Sequence, residues 1–224
     1  IARNGGRLAV AGSLGFCLWE RYWVLRGFER AMEDLIEEPA LVEDVLDRIV
    51  AVNTVLLRRL ASLGVDWLHT GDDFGAQRGL QYSADTWRRF FKSRYATLWA
   101  VARATGLPQS HHSCGDVRSI LDDLVEIGLN MLNPVQTRAM PPEELADRWG
   151  DRLAFWGGVC TQHVLPFESP AGIRAYLDRC RATLGRNGRW LIAPSHTITS
   201  EVPRASFFAL LDALGIEPSS RAST

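Results

Sequence analysis

The sequence contains no apolar run of about 18 residues, the length a helix needs to cross a bilayer, so no transmembrane helix is predicted. It also lacks a basic stretch followed by an apolar core at its start, which argues against a secretory leader. Cysteine is scarce: Cys17, Cys114, Cys160 and Cys180 are spread over 224 residues. Four dispersed thiols do not make a disulfide scaffold, so a reducing, cytoplasmic compartment is expected, with thiols free or metal-bound. Neither sign of charge is in excess, with 25 Lys and Arg against 26 Asp and Glu. No attraction to nucleic acid or to an anionic membrane follows, and a small molecule is the expected partner. With 46% of residues apolar, the chain can fill one large core or two small ones.

Against that background one stretch stands out, Ser110-His111-His112-Ser113-Cys114-Gly115-Asp116. It places imidazole, thiol and carboxylate within a few residues, the side chains of soft-metal ligation or proton transfer. Alternate strand residues share a face, so His112 and Cys114 point one way and Ser113 the other, and one ion can touch both. The plainer alternative is a pair of hydrogen-bonded histidines and a buried free thiol at a strand end. His111 points away from His112 and is expected to be structural; His69 reads as a core histidine, His163 as a solvated loop residue, and Cys17 has no evident role.

The rest of the chain alternates short apolar runs with amphipathic ones. Leu8–Gly12 is a short apolar run ending in glycines, and it leads to a predicted strand, Phe16–Glu20, followed by an aromatic-rich loop. Pro39 opens a helix whose apolar residues recur at threes and fours from Val42 to Leu60, with Gly64 as its stop. Further strands are predicted at Val65–Thr70, Leu107–Ser110, Leu129–Asn133, Leu153–Trp156 and Trp190–Ala193. Helices follow them: Ser83 to Thr105, Val117 to Ile127, Pro141 to Gly150, Ser169-Pro170 to Leu184, and Arg204 to Leu214. Short apolar strands alternating with helices mean parallel βα units, and six are countable. The polar residues Asp72, Asp73, His112, Cys114, Asn133, Gln136, Cys160, Ser195 and His196 all fall just after strands. In a βα barrel those loops converge on the working rim. A doubly wound sheet satisfies the same periodicity.

Taken together, six segments resemble the uroporphyrinogen decarboxylase superfamily: Leu25-Arg26-Gly27-Phe28-Glu29, Thr70-Gly71-Asp72-Asp73, His112-Ser113-Cys114-Gly115, Leu132-Asn133-Pro134-Val135-Gln136, Phe155-Trp156-Gly157-Gly158 and Ala193-Pro194-Ser195-His196. The resemblance implies an α/β fold of the TIM (β/α)8-barrel type with about six of its eight units present. It implies a single partial domain over 1–218 and an N-terminally truncated member whose first two strands are absent; the polar composition of Ser219–Thr224 separately predicts a disordered tail at 219–224. In the decarboxylases an arginine-rich first loop and an aspartate near the second strand hold the substrate, and neither region is in this sequence. The methyltransferase branch binds zinc through a His-x-Cys pair and a third ligand, usually Cys, after the last strand. His112 and Cys114 match the pair, whereas the third position holds His196, a departure shared with decarboxylases; Cys160 is the substitute ligand.

Three readings follow. The first is zinc-dependent methyl transfer to or from a thiol or a corrinoid protein, with three protein ligands leaving an open position. The second is a cofactor-free uroporphyrinogen decarboxylase of porphyrin biosynthesis. The third is a non-catalytic barrel that binds a corrinoid or tetrapyrrole. Asp72, Asp73 and His196 are the expected catalytic residues, with helix and loop capping as the alternative for the two aspartates. Asn133, Gln136 and Trp156 are the expected substrate contacts. Most of the eight tryptophans sit at core spacing, so packing rather than tetrapyrrole binding explains them.

Overall fold

The structure, a computed structural model, describes residues 8–216. The polar tail expected at 219–224 lies outside the described residues. The chain divides into two compact units after Asn133.

The first unit opens with β1 (Ala11–Leu14), followed by α1 (Trp19–Arg26), α2 (Phe28–Glu37) and α3 (Pro39–Ala61). Next come β2 (Trp67–Gly71) and a small hairpin, β3 (Gly75–Ala76) with β4 (Gly79–Leu80). Helix α4 (Ala84–Trp87) passes through a π-helical turn, Arg88–Lys92, into α5 (Ser93–Thr105). Then follow β5 (Gln109–His112), α6 (Arg118–Glu126) and β6 (Met131–Val135), the strand within which the division along the chain falls. β1, β2, β5 and β6 pair in parallel, with Ser13 level with His69, His69 with Ser110, and Ser110 with Met131.

Period-two alternation gives this sheet two different faces. Leu68, Thr70, Gln109, His111 and Leu132 are buried on the helix side. There Thr70 Oγ1 accepts from Trp99 Nε1 at 3.0 Å and bonds His111 Nδ1 at 2.9 Å. His111 also packs against the rings of Phe74, Tyr95 and Trp99. It is structural, as its strand position predicts. Trp19, Trp87, Trp99 and Trp149 are fully buried, so these tryptophans are packing residues. The opposite face carries His69, Ser110, His112 and Asn133.

The predicted strand at Phe16–Glu20 is corrected: Trp19 begins a helix. The reason is long-range. Asp72, at the end of β2, accepts the backbone N–H groups of Leu18, Trp19 and Glu20 at 2.8, 2.6 and 2.7 Å, satisfying first-turn donors that no local side chain caps. β8 begins at Trp190 as predicted, whereas β2, β5, β6 and β7 begin a residue or two late; Val65, Leu129 and Leu153 are buried in the connections leading into their strands. Gly106 ends α5 at φ 69°, the left-handed cap its position predicts.

The second unit contains the end of β6, then α7 (Pro142–Trp149), β7 (Ala154–Val159), α8 (Pro170–Ala182), β8 (Trp190–Pro194) and α9 (Arg204–Ala213). β7 and β8 pair in parallel, Phe155 level with Trp190. Ser169 Oγ accepts Gly172 N and caps α8 as predicted. Val159, Leu165, Ile173, Leu177 and Leu210 form this unit's core. Among the described residues no helix is long and apolar enough to cross a membrane.

Candidate metal centre

The loops after β2 and β5 touch backbone to backbone. A Cβ on Gly75 would run into Cys114 O and Asp116 N, and one on Gly115 into the backbone of Gly75 and Ala76. Only glycine permits that approach, and Gly115 additionally holds φ 81°. Three hydrogen bonds fasten the contact: Asp116 N to Ala76 O at 2.8 Å, Phe74 N to Ser113 Oγ at 2.9 Å, and Asp72 N to His112 O at 2.9 Å. Ser113 therefore faces inward and is buried, while His112 and Cys114 share the other side.

That clamp sets Asp73 beside the His-x-Cys pair. Cys114 N donates to Asp73 Oδ1 at 2.7 Å. His112 Nδ1–H donates to Asn133 Oδ1 at 2.7 Å, which leaves the Nε2 lone pair facing Cys114 Sγ at 3.5 Å and Asp73 Oδ1 at 3.7 Å. One donor atom from each of Asp73, His112 and Cys114 falls within 4.8 Å of the other two, and all three residues are half-buried. Tetrahedral zinc with bonds of about 2.0–2.3 Å places its ligand atoms about 3.5 Å apart, so the donor set fits such an ion.

Electrostatics point the same way. The Cys114 thiol is pushed up to about 12 by burial and by the nearby carboxylates of Asp73 and Glu20. Glu20, on the first turn of α1, is raised to about 8 by burial and by the charges of Asp72 and Asp73. Acidic groups gathered in a desolvated corner resist ionising together, and a divalent cation removes that resistance. Sequence reasoning missed Glu20, since its segment reads locally as a strand and its approach depends on the Asp72 cap.

Asp72 itself is fully buried. Besides the three N–H groups of α1 it accepts the Tyr95 hydroxyl at 2.7 Å, and burial lifts its pKa to about 6 despite these donors. Its carboxylate is spent on holding α1. His69 lies on the same sheet face as His112, its Nδ1 2.8 Å from Ser110 Oγ, and burial lowers its pKa to about 4.

In the second unit, Gln136 lies half-buried in the turn after β6 and Trp156 half-buried on β7. Cys160 is buried at the end of β7, and His196 is exposed in the bend after β8. The described contacts thus bring together Asp73, His112, Cys114 and Asn133.

Comparison with known proteins agrees with this architecture. A methyltransferase from Methanosarcina mazei is similar in structure, with a TM-score of 0.74 and 20% identity, over 95% of this chain and 60% of that one. The chain therefore spans about three fifths of the length of that protein, and at this identity the likeness shows the fold: α/β of the (β/α)8-barrel type. No curated protein matches the sequence. Residues 19–215 match the family model for uroporphyrinogen decarboxylase (URO-D), and the chain belongs to that family.

Proposed function

We propose that this protein is a metal-dependent enzyme of the superfamily, transferring a methyl group to or from a thiol or a corrinoid protein in the cytoplasm. The observation carrying the reading is the approach of His112 Nε2, Cys114 Sγ and an Asp73 carboxylate oxygen at spacings that suit one zinc ion. His112, Cys114 and Asp73 hold the metal, and Asn133, expected as a substrate contact, fixes the His112 ring. Three protein ligands leave a position for substrate. When bound, zinc supplies a Lewis acid that lowers the pKa of a coordinated thiol and keeps it as a nucleophilic thiolate. Asp72 anchors α1 and so positions Glu20 beside Asp73. The solved methyltransferase of the same fold supports this branch of the superfamily.

The test is methyl transfer between a methylated corrinoid and a small alkyl thiol. The expected result is turnover abolished by a chelator, restored by zinc, and reduced at least a hundredfold by Cys114→Ser. Turnover indifferent to both treatments would overturn the proposal. His196→Ala in the same assay tests the ligand expected after the last strand, and Gln136→Ala and Trp156→Ala test the proposed substrate contacts by their effect on KM. A second reading, cofactor-free decarboxylation, is favoured by the family model itself. It requires no metal, so metal dependence separates the two.

A further inference from the structure

The second unit contains a cavity of about 180 Å³ beneath the turns that follow β6 and β7. Its floor holds the thiols of Cys160 and Cys180, both buried, and burial keeps Cys180 neutral by raising its pKa to about 11. One wall is a closed hydroxyl pair: Thr137 Oγ1 and Tyr176 Oη are 2.6 Å apart, and Tyr176 donates to Gly158 O. Among the described residues no carboxylate lines the cavity.

The mouth is cationic. Arg138 comes from the turn after β6, His163 from the turn after β7, and Arg179 from α8, so three separate segments bring basic side chains to one opening. Arg179 donates through Nε to Glu143 at 2.7 Å, which leaves its terminal amino groups to bind elsewhere. Arg138 has no ion pair or hydrogen bond among the described residues, and His163 has only a ring contact with Phe167. Glu143 is the carboxylate engaged here, and Arg179 already holds it. Two permanent positive charges and an imidazole therefore line a small cavity whose lining residues include no carboxylate. A cation is disfavoured there, and an oxyanion is matched both in charge and in the paired donor geometry of the guanidinium.

We propose that this cavity binds a small oxyanion, the carboxylate or phosphate group of a low-molecular-weight ligand, held by Arg138 and Arg179 with His163 beside them. Cys160, expected from sequence as a substitute metal ligand, lines this floor. Because every lining residue belongs to the second unit, the inference does not depend on the proposed metal chemistry.

The test follows the His163 ring signals by NMR, assigned by their loss in His163→Gln, during titration with inorganic phosphate and with acetate against chloride at constant pH and ionic strength. The expected result is a saturable shift of His163 with phosphate, acetate or both, with the half-saturation concentration raised at least tenfold in Arg138→Gln. A response to phosphate alone identifies a phosphorylated ligand, and a response to acetate alone a carboxylated one. Shifts no larger than those in chloride would overturn the proposal. So would a saturable shift that persists unchanged in the Arg138→Gln, Arg179→Gln double variant; both positions are exposed, so the substitutions leave the core intact.

Discussion

At the scale of single residues, the hydrogen bond from His112 to Asn133 governs which ring nitrogen is free. A neutral imidazole left to itself takes either tautomer; the 2.7 Å bond through Nδ1 selects the one whose Nε2 lone pair meets Cys114 and Asp73. Asn133→Ala is expected to weaken zinc affinity about 10–100-fold, and Asn133→Asp, which keeps an acceptor in place, to preserve it. Competition titration against a chromogenic chelator measures both. His69 leads to a pH effect. Its pKa is about 4 in the folded chain against an ordinary 6.5, because burial disfavours the imidazolium. The unfolded chain takes up this proton first, so the stability that neutral His69 provides is complete above pH 6.5 and is lost as the pH falls towards 4. Urea unfolding at pH 7 and at pH 4.5 is expected to show wild type losing on the order of 3 kcal/mol relative to His69→Asn. The pairing of His112 with Cys114 was legible from strand periodicity alone. Asp73 was visible as a loop carboxylate, but its place as the third donor depends on how two loops dock, which spacing along the chain does not encode.

At the scale of elements, the site exists because two loops meet at two glycines. Substituting Gly115 by Ala forces a left-handed φ on an L side chain and pushes its Cβ into the backbone of Gly75 and Ala76. Gly115→Ala is expected to cost about 2–4 kcal/mol in urea unfolding and to reduce metal affinity with it, whereas Gly79→Ala, where a Cβ meets open space at positive φ, is expected to cost about 1 kcal/mol. Equal costs at the two positions would show that backbone conformation, and not the loop contact, sets the requirement. Strands β2, β5, β6, β7 and β8, the long helix α3 and the caps at Gly106 and Ser169 were legible, because each rests on local periodicity or a terminal residue. Helix α1 was not, because the carboxylate that caps it is supplied by Asp72, more than fifty residues along the chain. The hairpin Gly75–Leu80 is too short to leave a periodic trace.

At the scale of the whole molecule, six strands alternating with helices were countable from the sequence because parallel βα units bury both faces of each strand and so write continuous apolar runs. The change from one compact unit to the next falls inside β6, and a strand with buried residues on both sides of that point gives no compositional signal there. Family membership fixes the fold and leaves the chemistry to the site. The central claim is that Asp73, His112 and Cys114 make this chain a metalloprotein. It is tested most directly by plasma mass spectrometry of metal content after purification without chelator, for wild type, Asp73→Ala and the His112→Ala, Cys114→Ser double variant. About one zinc per wild-type chain, diminished in the first variant and lost in the second, is the expected result. No metal in wild type, or as much in the double variant as in wild type, would contradict it.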